Sequence, residues 1–196
     1  MGISLNTRQL ALLSLLTAVG VAIQTTVRPP NVEFTSFISF TLGAVLGFRA
    51  AAIAGGTTMF INGFFSPWGH GGLNIPFQMT GMIIAGIVGH VYKAHAPDRV
   101  NTTRFCVETA VLGSFIALVY DLITNVGVGF QYILAGMDPV WALISAIAYG
   151  SFYSLVHIVS NTVVFGFLFL PLVSAISGFN ANGSELCWSK KERLNS

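Results

Sequence analysis

The chain has 196 residues, 54% of them hydrophobic and only 8% charged, with a formal net charge of +2. Soluble domains carry about 25% charged residues, so nine basic and seven acidic side chains are too few to solvate a soluble fold of this size. The composition excludes an ordinary soluble enzyme, a disordered chain, a disulfide scaffold and a nucleic-acid binder, and it points to an integral membrane protein.

Crossing a hydrocarbon core takes roughly 20 apolar residues of helix, and lipid tolerates only helices or closed barrels. The apolar runs lack period-two alternation. An all-α integral membrane protein is therefore predicted, a single membrane domain over 1–196 with six transmembrane helices. They fall at about 8–27, 32–48, 50–65, 75–94, 102–134 and 139–178. The first run is longer than the apolar part of a signal peptide and has no clear small-residue cleavage site, so it is read as a span.

The second helix is expected to start after Asn31, with Glu33 in its first turn. The second and third spans are short for a bilayer and read as tilted or protein-buried helices, joined by a tight turn at Gly47-Phe48-Arg49. Asn74 before Ile75-Pro76 and Asp138 before Pro139 mark helix starts, where the missing proline N–H costs nothing. The last two spans exceed the bilayer. They are expected to protrude or break, with Gly127 and Gly129 as candidate breaks and Pro171 as a kink, ahead of a tail at 179–196.

With six spans, Arg8, Arg49, Lys93, Arg99, Arg104, Lys190, Lys191 and Arg193 share one side and Arg28 stands alone on the other. The positive-inside rule then makes both termini cytoplasmic. Cys106 and Cys187 fall on the reducing side, as do the sequons at Asn101 and Asn182, so neither a disulfide nor glycosylation is expected.

No GxxxxGK[ST], HExxH, HxxEH or GxSxG occurs. His70, His90, His95 and His157 do not group with carboxylates on one helical face. No nucleotide hydrolysis, catalytic residue, metal or cofactor is therefore expected of this chain.

Three segments, 27–33, 64–74 and 127–138, meet on the outer side and mix aromatic rings, amides, glycines and one cation. The interfacial aromatic belt accounts for single aromatics. The set Arg28, His70, Asn74, Gln78, Asp121 and Asn125 reads instead as a binding pocket. Asp121 and Asn125, four apart, share a helix face, and an acid inside a span is a functional hypothesis by default. The competing role for Asp121 is a hydrogen bond within the bundle, to Tyr149 or Tyr153. His157 and Asn161, counted at about 1.5 Å per residue from Asp138, fall toward the cytoplasmic half and read as interhelical hydrogen bonding.

Small residues line one face of three helices: Ala11, Ser14, Ala18, Ala22 and Thr25, then Gly47, Ala51 and Gly55, then Gly81, Ala85 and Gly89. Such stripes let helices approach closely; most pack a protein's own bundle, and three of them leave room for at least one to face a partner.

The Ala18-Val-Gly-Val-Ala22 element, the ordered first outer loop and the Gly43-Ala44-Val45-Leu46-Gly47-Phe48 turn carry a resemblance over nearly the whole chain. It resembles the substrate-binding (S) component of energy-coupling factor (ECF) vitamin transporters. Phe64-Phe65-Ser66-Pro67-Trp68 and Ile75-Pro76-Phe77-Gln78-Met79 are similar to a branch linked to cobalamin-type substrates, from which His70-Gly71-Gly72 and Phe77 depart; the riboflavin class stays open beside it.

The resemblance implies a non-enzymatic plasma-membrane protein that binds a vitamin from outside. ATP-driven uptake would be supplied by a transmembrane coupling (T) protein and two cytoplasmic ABC ATPases. It implies docking through Ala18 and Ala22, and a lid formed by 28–33, with Arg28, Asn31 and Glu33. Trp68, His70, Asn74, Gln78, Asp121, Asn125, Gln131 and Tyr153 would line the pocket. The alternatives are a stand-alone secondary transporter and an intramembrane enzyme.

Overall fold

The computed structural model describes residues 5–95 and 102–179. Arg99 and Asn101 in the 96–101 connection lie outside the described residues, as do Asn182, Cys187, Lys190, Lys191 and Arg193 in the predicted tail. Among the described residues six helices follow one another: α1 (Thr7–Thr25), α2 (Thr35–Leu46), α3 (Phe48–Phe65), α4 (Ile75–His95), α5 (Thr102–Leu134) and α6 (Pro139–Phe179). A single 3-10 turn, Gly72–Asn74, leads into α4, and there is no strand among the described residues.

Helices α1, α5, α6 and α4 with its 3-10 turn are long and apolar enough to cross a membrane, and α2 is a shorter apolar helix. Their outer faces are apolar. Val107, Val111, Phe115, Leu118, Leu122 and Val126 stand exposed along α5, and Phe152, Leu155, Val159, Val163 and Phe167 along α6. Exposed apolar surface on this scale needs a nonaqueous neighbour. The chain is an all-α membrane protein.

Helix α2 is the axis of the bundle. Every residue from Thr35 to Val45 is buried, and the helix packs against α1, α3, α4, α5 and α6. The expectation of a protein-buried second helix matches this placement. Glycines make the close crossing of α2 and α4 feasible. A Cβ on Gly43 would run into the Gly86 carbonyl, and one on Gly89 into the Phe40 carbonyl. On α3, a Cβ on Gly55 would lie 2.8 Å from Ser39 Oγ. The stripes of α3 and α4 are therefore internal. Gly47, at φ +92°, closes α2 and opens α3 in the predicted turn.

One end of the bundle is sealed by aromatic rings. Phe40 meets Phe165 and Phe169 edge-on at 5.2 and 5.0 Å, and Phe105 stacks on Phe169 at 5.5 Å. Asp138 caps α6 as expected, its Oδ1 accepting from the N–H groups of Val140 and Trp141 at 3.0 and 3.3 Å.

Two local expectations are corrected. Helix α2 begins at Thr35, because Asn31 adopts φ +58° and reverses the chain, leaving Glu33 ahead of the helix rather than in its first turn. Helix α5 runs unbroken through Gly127 and Gly129. These glycines admit neighbours: a Cβ on Gly127 would collide with Asn74 and Phe77, and one on Gly129 would lie 2.7 Å from Leu143. Pro171 lies inside an α6 that continues to Phe179.

Candidate functional site

At the end opposite the aromatic seal, the C-terminal ends of α1 and α3, the N-terminal end of α4 and the adjoining parts of α5 and α6 surround a cavity of about 480 Å³. The last turn of α1 and the following loop supply Gln24, Arg28, Pro30, Asn31 and Glu33. Helix α3 and its loop add Asn62, Ser66 and Trp68; α4 adds Gln78; α5 and α6 add Tyr120, Tyr149, Tyr153 and His157. Trp68 and Tyr149 are 56% and 69% exposed and form an aromatic mouth, whereas Gln24, Glu33 and His157 are buried at its base.

The base is a continuous hydrogen-bond network. Arg28 Nη2 donates to Gln24 Oε1. Gln24 Nε2 donates to Glu33 Oε2 at 2.5 Å and to Thr35 Oγ1 at 2.7 Å. Ser36 Oγ donates to Glu33 Oε1 at 2.6 Å. The His157 ring lies between two acids, with Nε2 3.0 Å from Glu33 Oε1 and Nδ1 2.9 Å from Asp121 Oδ1. Tyr120 meets the ring edge-on at 5.4 Å. A buried network of this kind rigidifies its surroundings when satisfied. Here it ties the 26–34 loop to α2, α5 and α6.

Some polar atoms around the cavity have no partner. Arg28 Nε and Nη1, Asn62 Oδ1 and Gln78 Oε1 are buried without a hydrogen bond, as is Asp121 Oδ2 behind the histidine. A buried polar group left unpaired costs about 1–3 kcal/mol. Several of them on residues that line one cavity, together with aromatic rings, is the pattern of a ligand site.

Of the residues selected from sequence, Arg28, Asn31, Glu33, Trp68, Gln78 and Tyr153 line the cavity, and Asp121 reaches it through His157. His70 lies apart from the lining. It is exposed, its Nδ1 accepts from the Gly72 N–H at 2.9 Å, and its ring meets Phe64 at 5.1 Å, so it shapes the 64–74 loop. Asn74 packs on Gly127 and Asn125 on Gly150, both as helix contacts. Gln131, in the last turns of α5, is also apart from the lining. Ala18 and Ala22, with Ala11 and Ser14, occupy the exposed face of α1, while Leu13, Gly20 and Gln24 face inward.

His157, expected as interhelical hydrogen bonding, does bond from α6 to Asp121 on α5, and in addition it lines the cavity. Helix α6 is 41 residues long and its first turns are largely exposed, so its cavity-lining residues Tyr149, Tyr153 and His157 come well after Asp138. The loop also folds inward and carries Glu33 down to the histidine. Asp121 bonds to this histidine rather than to Tyr149 or Tyr153. Gln24, Asn62, Ser66, Tyr120 and Tyr149 were not anticipated. The available signal was simple, because Gln24, Asn62 and His157 are polar residues within apolar helices, which point inward in lipid. No family model, curated protein or solved structure matches this chain.

Proposed function

We propose that the chain is the substrate-binding component of an ECF-type ABC importer, a six-span plasma-membrane protein with both termini cytoplasmic. It captures a vitamin of the cobalamin or riboflavin class in the cavity beneath Trp68. A coupling protein docked on Ala18 and Ala22, with two ATPases, drives uptake. The chain itself is not an enzyme and requires no cofactor.

The observation that carries the reading is a polar cavity with unpartnered hydrogen-bonding groups at one end of an apolar bundle. Two features support the division of labour. The sequence contains no phosphate-binding loop. The small-residue stripe of α1 is left exposed, whereas those of α3 and α4 are buried within the bundle. The test is titration of the purified chain, without ATPases, with cobalamin, riboflavin, thiamin, biotin and folate. One ligand is expected to bind with submicromolar affinity; no binding across the panel, and none of any small molecule extracted with the protein, would refute the assignment.

A second reading, a gradient-driven transporter acting alone, draws on the Glu33–His157–Asp121 cluster. Intramembrane ionisable groups frequently mark proton pathways.

A further inference from the structure

The charges around the cavity cancel, and the cancellation does not depend on where one proton sits. Glu33 accepts from Ser36 and Gln24 and lies 3.0 Å from His157 Nε2; with a ring hydrogen assigned to Nε2, every contact is donated to Glu33 and the group is an anion. The contact between His157 Nδ1 and Asp121 Oδ1 holds one hydrogen. If that hydrogen is on Nδ1, an imidazolium faces an aspartate; if it is on Oδ1, a neutral ring faces a neutral acid. The pair sums to zero in both arrangements, and the Arg28 cation balances Glu33 through Gln24. No other Asp, Glu, Lys, Arg or His lines the cavity among the described residues.

A charged ligand would enter a low-dielectric site with no countercharge left over, and burying an unpaired charge is costly. The free hydrogen-bonding atoms add a second requirement. Arg28 Nε and Nη1 need an acceptor, whereas Asn62 Oδ1 and Gln78 Oε1 need donors. A carbonyl and an N–H carried on the same ligand edge meet both needs.

Resting on the binding role proposed above, we infer that the cavity selects an uncharged ligand that presents C=O and N–H groups together, as in a carboxamide, a lactam or a ring imide. The site rejects organic cations and carboxylates by charge, independently of their size. Which uncharged source is preferred, a carboxamide-rimmed macrocycle or a planar imide, is decided by the titration.

The experiment is calorimetric titration of the full chain in detergent at neutral pH with cyanocobalamin and riboflavin as uncharged probes, thiamin as the cation and biotin as the anion. At least one uncharged probe is expected to bind tenfold or more tighter than either charged one. Arg28→Gln leaves the site with one negative charge and should shift the thiamin-to-uncharged affinity ratio upward by tenfold or more. Glu33→Gln leaves one positive charge and should do the same for biotin. Retained helical circular dichroism and an unchanged elution volume identify folded variants, and Gln78→Leu, which removes only a hydrogen-bonding group, should weaken the uncharged probe without altering the charge preference.

If wild-type protein prefers thiamin or biotin, or if both charge variants fold and leave the ratios unmoved, the inference is overturned while the binding role stands. If all four probes fail, the molecule carried through purification decides the matter by mass spectrometry. A charged compound, or one lacking an amide edge, overturns the inference alone, and the absence of any ligand overturns both.

Discussion

His157 joins a loop residue and a helix residue that are distant in sequence, and its removal should be felt at both. Leucine at this position fills similar space but leaves Glu33 and Asp121 buried, at 5% exposure each, without their shared partner. Removing one partner of a buried charge pair costs about 3–5 kcal/mol. His157→Leu should therefore lower the melting temperature in detergent sharply. His157→Gln, which can still donate to one carboxylate, should recover part of the loss. Equal melting of wild type and His157→Leu would mean that the network contributes nothing to stability.

This centre was half legible in the sequence. Asp121 stood out as an acid in an apolar run, but nothing in the local pattern tells that the chain reverses at Asn31 and delivers Glu33 to the same ring. That contact spans 124 positions, and only the fold creates it.

Helices with the same small-residue pattern play opposite parts here. On α2 and α4 the backbones touch, and any side chain at Gly89 would enter the Phe40 carbonyl. Gly89→Leu should prevent the bundle from closing, seen as loss of the monodisperse peak in size-exclusion chromatography. On α1 the stripe faces outward, so Ala18→Trp and Ala22→Trp should leave folding and ligand affinity within about twofold of wild type. The same variants should abolish uptake in cells that supply the coupling protein and ATPases. Lost ligand binding in either tryptophan variant would place the stripe in the protein's own core.

Helix positions were readable to within a few residues, because apolar runs end at Asn, Gly and Pro signals that act locally. Which stripe is buried was not readable, since glycine and alanine suit a partner helix of any origin. The glycines of α5 show the same limit. Gly127 breaks nothing because Asn74 and Phe77 fill the space that it leaves open.

Taken as a whole, the bundle holds a cavity at one end and packed aromatic rings at the other. Between the cavity base and the far end lie α2, buried from Thr35 to Val45, and the cluster of Phe37, Phe40, Phe165 and Phe169, with ring centroids 5.0–6.4 Å apart. A ligand passing straight through would have to separate α2 from α4, where the glycine crossings leave no slack and packed interiors resist deformation. Proton coupling also needs a group that exchanges its partners, and Glu33 is already held by Gln24, Ser36 and His157 within the protein. Moving the whole protein against an energised partner avoids both difficulties, because the internal packing is kept. On the proposed binding role, the chain reconstituted alone in liposomes should therefore bind a vitamin at the surface but accumulate none inside, whether a proton or a sodium gradient is imposed. Adding the coupling protein, ATPases and ATP should produce accumulation that Ala18→Trp abolishes. Uptake by the chain alone, lost on Asp121→Asn, would instead establish the gradient-driven reading and assign the buried histidine cluster to proton transfer.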